Sequence, residues 1–447
     1  MNNLKFHTKN YLKIIFLLTI ICKTQTVFSQ LRSPESISCN TKTLVLVPSF
    51  EGNPKTNNLS ISGLNHSLLF AQLLNKQLSN NCIDNMAIYA LSPDYKEKLQ
   101  TLKKIDMKPL ETIEPFAVSH KKSVNVKSLN TFLKDFHTNK SDNLFVVGAD
   151  SNTIGRIIDK IAPSNSDIKR WPRKKVDYLV LTKVSSGRYI LNYFNDGINP
   201  KSEYPDIKIP RTKCCPNLPV TLRTSVPTSS DSFTPYKNQT VYFIRHAEAH
   251  PGGHFENGNY VCRGEWRALG ANTILYNIMD GKPDYIFSSN PTQLIDGYSY
   301  VRPSLTIAPF AIQYGLPITL ASFEWYESES LANALFNKKS KYFNHKDNQT
   351  IIVCWEHGNL RASVISVFEE LYKVQIATNK HCYCETRREN PKPGGNTIIT
   401  CWRGDNYDSV WILKTDNEGN LTFANTCEHI PTEKLPTSCP IFKSNEH

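Results

Sequence analysis

The chain has 447 residues, 40% of them hydrophobic and 21% charged, with 12 cysteines and a formal charge of +12. That composition excludes collagen-like, disordered and polytopic membrane proteins, and the length suffices for two or three domains with real cores. The charge raises nucleic acid or membrane partners, and the cysteines raise the question of compartment.

Lys5, Lys9 and Lys13 precede an apolar run from Ile14 to Cys22, followed by polar residues and Val27-Phe28-Ser29-Gln30. Basic, then apolar, then small-residue order is that of a secretory signal, with cleavage after Ser29. The run is shorter than the roughly 20 apolar residues that cross a bilayer. Residues 1–29 are therefore expected to be a signal peptide, and the mature protein to be secreted or periplasmic without stable membrane insertion. Losing Lys5, Lys9, Lys13 and Lys23 lowers the charge to +8, and losing Cys22 leaves 11 cysteines. An exported chain so rich in cysteine predicts several disulfides, and the odd number leaves at least one thiol free or paired elsewhere. Asn-x-Ser/Thr sites begin at Asn58, Asn65, Asn139, Asn238, Asn348 and Asn420.

Residues 30–224 read as a first domain with short apolar strands at Thr43 to Val47, Ile88 to Leu91, Leu144 to Val147 and Asp177 to Leu181. Lys121-Lys122 and Arg173-Lys174-Lys175 lack interleaved aromatic residues, so they read as solvated faces and no nucleic acid partner is expected. Cys214-Cys215 reads as disulfide-related. The Ser/Thr/Pro-rich stretch 225–238 reads as a linker.

Residues 239–447 read as a second domain. A buried-strand pattern from Val241 to Ile244 ends in Arg245-His246-Ala247-Glu248. A second run, Ile351 to Trp355, ends in Glu356-His357-Gly358-Asn359 ahead of a helical pattern from Leu360 to Tyr372. Open α/β sheets bind ligands at the carboxyl ends of their strands, and a helix N-terminus favours an anion. Cys382 and Cys384, with His381 and Cys401 nearby, lack Cys-x₂-Cys spacing and predict a disulfide-pinned loop rather than zinc.

Strand-Arg-His-Ala-Glu followed far downstream by strand-Glu-His-Gly-Asn resembles the histidine phosphatase superfamily, the phosphoglycerate-mutase-like fold. Between them, Gly264 to Leu269 resembles that family's first helix, and Asp284 to Pro291 its second strand. Arg302 with Thr306 and Pro309 resembles its arginine-bearing helix, and Asp408 to Leu413 a late core strand. The resemblance covers roughly 240–423. It implies an α/β fold, a mostly parallel central sheet flanked by helices. It implies a secreted phosphatase that hydrolyses phosphomonoesters through phosphohistidine and uses no metal or other cofactor. His246 would be the nucleophile, Arg245 and Arg302 would hold the phosphoryl oxygens, and His357 would donate to them. These residue types suit the chemistry. Neutral imidazole is a nucleophile near pH 7, and charge spread over three oxygens calls for cationic donors. The general acid is expected on a later loop, where Glu324 leads Glu327 and Glu329; Glu356 and Glu248 are further candidates. The partner is then a phosphorylated substrate, and a cationic surface suits it. The alternative is a pseudophosphatase that binds an anion or a partner without turnover.

The first half repeats the pattern without the chemistry. Thr43 to Glu51 lies over Thr240 to Glu248, Ser62-Gly63 over Arg263-Gly264, and Ile88 to Pro93 over the second-strand segment. Thr112 to Ala117 lies over Thr306 to Ala311, Leu144 to Thr153 over the second-histidine segment, and Asp177 to Leu181 over Asp408 to Ile412. Two related domains are therefore expected, the first catalytically dead. Pro48 and Ser49 stand for arginine and histidine, and Ala149 or Asp150 for the second histidine.

Overall fold

The computed structural model describes residues 36–91, 105–162, 177–213, 222–228, 232–250, 256–343, 345–376, 402 and 404–443. The expected signal peptide, Cys214-Cys215 and the Cys382 to Cys401 segment lie outside them. Thr43–Pro48 (β1) is apolar without alternation and buried along its length, as a strand covered on both faces requires. It pairs in parallel with Leu144–Ala149 (β4) and antiparallel with Tyr178–Lys183 (β5). Met86–Leu91 (β2), Val124–Lys127 (β3) and Tyr189–Phe194 (β6) complete a sheet of order β3-β2-β4-β1-β5-β6. Helices Ile61–Gln77 (α1), Asn80–Asp84 (α2) and Lys108–Ser119 (α3) cover the face that carries Val45 and Val47. Leu129–Thr138 (α4) and Ser151–Ile161 (α5) cover the face that carries Leu44 and Leu46.

The second sheet comprises Leu222–Thr224 (β7), Thr240–Arg245 (β8), Tyr285–Ser288 (β9), Ile318–Leu320 (β12), Thr350–Trp355 (β13), Ser409–Thr415 (β14) and Leu421–Cys427 (β15). Leu294–Ile295 (β10) and Tyr298–Ser299 (β11) form a separate hairpin. The order is β12-β9-β13-β8-β14-β15-β7. Cys262–Gly270 (α6), Asn272–Ile278 (α7) and Arg302–Tyr314 (α8) line one face; Ser328–Phe336 (α9) and His357–Ser366 (α10) line the other. Both sheets are mixed, with a core of four parallel strands: β5 runs against β1 and β14 against β8, and β6 and β15, each joined to its predecessor by a short turn, run back in the direction of the core.

The two halves share more than strand order. Gly63 and Gly264 each bring a helix against a carbonyl. A Cβ there would stand 2.2 Å from Glu51 O in the first half and 2.6 Å from Glu248 O in the second. Pro115 sits inside α3 as Pro309 does inside α8. In α1, His66 lies between Glu51 and Asp196, its Nε2 2.8 Å from Asp196. In α6, Arg267 lies between Glu248 at 2.8 Å and Glu428 at 2.7 Å. Strand register places Glu356, the N-cap of α10, over Asp150, the N-cap of α5, so His357 falls over Ser151 and not over Asp150 or Ala149.

The halves are joined broadly. Asn57 Nδ2 donates to Ile105 O within its own half, and its Oδ1 accepts from Ile318 N at 3.4 Å across the joint. Asn58 Nδ2 donates to Leu316 O at 2.9 Å. From the other side, Ser299 Oγ accepts from Val126 N at 3.0 Å, and Asn257 Nδ2 donates to Lys121 O at 3.3 Å. Glu111, Glu114 and Glu265 are all buried around a small cavity of this joint, among Leu64, Leu269 and Pro309.

The drawn domain boundary shifts. β7 belongs to the second sheet, and Tyr204, Ile207 and Ile209 already pack on the α6 side of the second half. Phe233 and Tyr236, within the expected linker, are buried there, because two aromatic side chains in a polar stretch find apolar surface. Cys39–Cys82 and Cys262–Cys439 are disulfides, Cys427 is also disulfide-bonded, and Cys354 is a buried thiol. Asn58 and Asn65 are buried with their amides bonded to backbone carbonyls, so those two glycosylation signals are closed in the fold. Among the described residues no helix is long and apolar enough to cross a membrane.

Candidate active site

Arg245 is the last residue of β8 and pairs in register with Trp355, the last of β13. His246 and Glu356-His357 therefore leave adjacent strand ends, and His246 N donates to Trp355 O at 2.9 Å. Arg302 opens α8. Its carbonyl accepts from Thr306 Oγ1, which itself accepts from Ala247 N at 2.8 Å, so the first turn of α8 is tied to the loop after His246.

His246 is 1% exposed. Its Nδ1 lies 2.8 Å from Ala247 O, which can only accept, so that nitrogen carries the proton. Nε2 is left with its lone pair, and Arg302 Nε donates to it at 3.2 Å. Burial, then the charges of Arg302 and Arg245, hold the imidazole well below its usual pKa, so it is neutral. Arg245 lies with its guanidinium 3.9 Å from the Tyr407 ring centre and donates to Gly404 O at 2.5 Å. His357 opens α10, and its Nδ1 lies 2.5 Å from Glu356 Oε1. Burial raises the Glu356 carboxyl, but His357 and the backbone N–H groups of Gly358 and Asn359 outweigh it and hold it at about 2. Gly404 faces His357 Nε2, which closes the ring of residues around His246.

Arg245, His246, Arg302 and His357 thus converge. Glu324 sits between β12 and α9, next to Trp325, which packs on Tyr300; among the described residues no hydrogen bond or ion pair connects it to the four. Burial, then the charge of Glu327, raise its carboxyl. Glu248 is committed to Arg267, and Glu356 to His357 and the N-cap bond from Asn359 N at 2.7 Å.

Glu256 is a site residue absent from the sequence reading. Its Oε1 accepts from Arg302 Nη1 at 2.5 Å and from Gly258 N at 2.6 Å. Burial opposes ionisation, but Arg302 overrides it and keeps this carboxyl below its usual range. Nothing in the sequence marked Glu256 apart from its place in the loop between β8 and α6. Tyr300, also absent from that reading, is fully buried with Arg302 4.8 Å from its ring centre.

No protein-family model matches the chain, and no curated protein matches it. Among solved structures, the chain is similar to a protein described as a phosphohistidine phosphatase, SixA, from Agrobacterium tumefaciens. Identity is 15%, the match covers 40% of this chain and 92% of that one, and the TM-score is 0.25.

Proposed function

We propose that the second half is a histidine phosphatase that hydrolyses phosphomonoesters. The observation that carries this reading is the orientation of His246: neutral, Nδ1–H committed to Ala247 O, Nε2 without a proton and accepting from Arg302. Nε2 attacks phosphorus, the P–O ester bond breaks, and the leaving oxygen takes a proton from Glu324. Its raised carboxyl suits a proton donor. Water, losing a proton to the Glu324 carboxylate, then attacks phosphohistidine and releases inorganic phosphate. Arg245, Arg302 and His357 hold the three phosphoryl oxygens, replacing Gly404 O and Glu256 as partners of the arginines.

The first half is then a duplicate that has lost its reactive residues. The matching strand orders, the Gly63 and Gly264 contacts and the paired proline kinks support this. Export and a cleaved signal fit the disulfides. The test is transfer of labelled phosphate from an aryl or alkyl phosphomonoester. Wild type should trap phosphohistidine and turn over, and His246→Ala should do neither. Equal turnover by both proteins would sink the proposal.

A second reading, anion binding without turnover, is favoured by one observation. Both arginines already have internal acceptors, and among the described residues no hydrogen bond or ion pair joins the candidate acid to the four site residues. Phosphate binding that depends on Arg245, with no trapped intermediate, is its signature.

A further inference from the structure

We infer that the site selects phosphomonoesters with an aromatic leaving group that carries no second phosphate. The inference rests on the phosphomonoester reading above and names the substrate class for the same site.

Rings run outward from the nucleophile without a break. Tyr300 lies edge-on to His246, with centroids 6.3 Å apart, and carries Arg302 on its face. Trp325 lies 5.0 Å from Tyr300, and Tyr326 lies 5.6 Å from Trp325. At the outer end the chain reaches solvent. Four large hydrophobic side chains are exposed among the described residues, and two of them belong to residues that adjoin Trp325: Leu294 at 47%, through its carbonyl, and Tyr326 at 59%. Scattered single apolar residues need no explanation, but a pair linked to the nucleophile by a run of edge-on ring contacts does.

This shelf is held from both sides. Trp325 Nε1 donates to Leu294 O at 2.9 Å, which fixes it to the hairpin β10–β11. Trp325 O accepts from Trp355 Nε1 at 2.6 Å, and Trp355 is the fully buried residue two before His357. One side of the shelf is thus anchored to the strand that delivers His357, and the other continues to the Arg302 face. An aromatic group on a phosphate seated between His246 and Arg302 meets ring edges and faces in the offset arrangements aromatic pairs prefer. Charge limits what that ring can carry: Glu327 and Glu329 follow Tyr326 within three residues, so a second phosphate beside the shelf adds like charge.

The test uses the full chain and two non-hydrolysable probes, phenylphosphonate and methylphosphonate, titrated by calorimetry. Turnover of a phosphomonoester is measured in parallel. Phenylphosphonate should bind about 3- to 10-fold more tightly, the range of one aromatic pair. Tyr326→Ser and Leu294→Ser, both at exposed positions, should narrow that ratio toward one. Equal affinities in the wild type, or a ratio unmoved by both variants, overturn the inference. Turnover without aryl preference overturns this inference and leaves the phosphatase reading standing. Aryl preference without turnover does the reverse. No binding of either probe and no turnover overturn both.

Discussion

Arg302 Nε and His246 Nε2 stand 3.2 Å apart, so the lone pair that would attack phosphorus is held by the guanidinium that would receive its oxygens. This contact exists before any substrate arrives and orients the imidazole; for Nε2 to attack, Arg302 must pass from that lone pair to the phosphoryl oxygens. Arg302→Lys keeps a charge but loses the planar fork. It should lower kcat by about 100- to 1,000-fold, the range for losing one preorganised donor. Steady-state kinetics beside a melting curve separates this loss from misfolding. Because burial and two arginines depress the His246 pKa, the rate should show no fall with a midpoint near pH 6.5. Such a fall would place the proton on the wrong nitrogen.

Under the proposed function, Glu256 would compete with substrate for Arg302. Glu256→Gln keeps an oxygen for Gly258 N and removes the charge from the pair. Inorganic phosphate should then inhibit at several-fold lower concentration, measured as Ki at constant pH. The wild type should approach the same affinity as acid protonates Glu256, from below its usual carboxylate range downward. An unchanged or higher Ki in the variant would show that Glu256 does not guard the anion site.

His66 gives the first half a titrating cation where the second half carries the permanently charged Arg267. Burial pulls the His66 pKa down, but Asp196 and Glu51 more than offset it and leave it at about 9. A folded pKa above the unfolded value stabilises fully below about 6.5, and that contribution is lost as pH rises through about 9. The loss is on the order of 3 kcal/mol. Urea unfolding at pH 6 and pH 9.5 should show it, and His66→Gln should flatten the difference. An equally steep profile in the variant would assign the effect to other groups.

The buried carboxyls between the halves act in a lower window. Burial raises Glu111 to about 8 and also raises Glu114, which is coupled to Glu265. These groups fold protonated. Their contribution is full below the ordinary glutamate range and is lost as pH climbs through about 8. Glu114→Gln should raise Tm at pH 8.5 by a few degrees and change it little at pH 5. A Tm gain of the same size at both pH values would contradict the assignment.

The strands and the reactive residues at their ends were legible because a run such as Val241 to Ile244 fits a buried strand and stops at a charged pair. The same strand-end logic led to His357 and to the helix it opens. Arg302 was found through its helix, whose Thr306 and Pro309 the sequence also displays. Glu256 and Tyr300 were not legible, since a loop carboxylate and a hairpin tyrosine gain their role only when distant strands bring Arg302 beside them. Burial of Phe233 and Tyr236 was missed because linker composition outweighed two aromatic residues. The His66 and Arg267 clusters show why pairwise matching of the halves stops at the apolar core: a histidine and an arginine fill one role, and no residue-identity comparison equates them.

Two of the polar links between the halves fall on their outermost strands. Ser299 reaches the main chain of β3, and Asn57 reaches that of β12, the strands that end the two sheets on their parallel sides. An uncovered strand edge is a template for pairing with other chains. Each half thus occupies a main-chain donor on one sheet edge of the other. Cutting the chain after β6 would leave two fragments with raw edges, prone to fibres or to pairing with one another. Had the first half lost its chemistry long ago, this shielding alone would be reason to keep it.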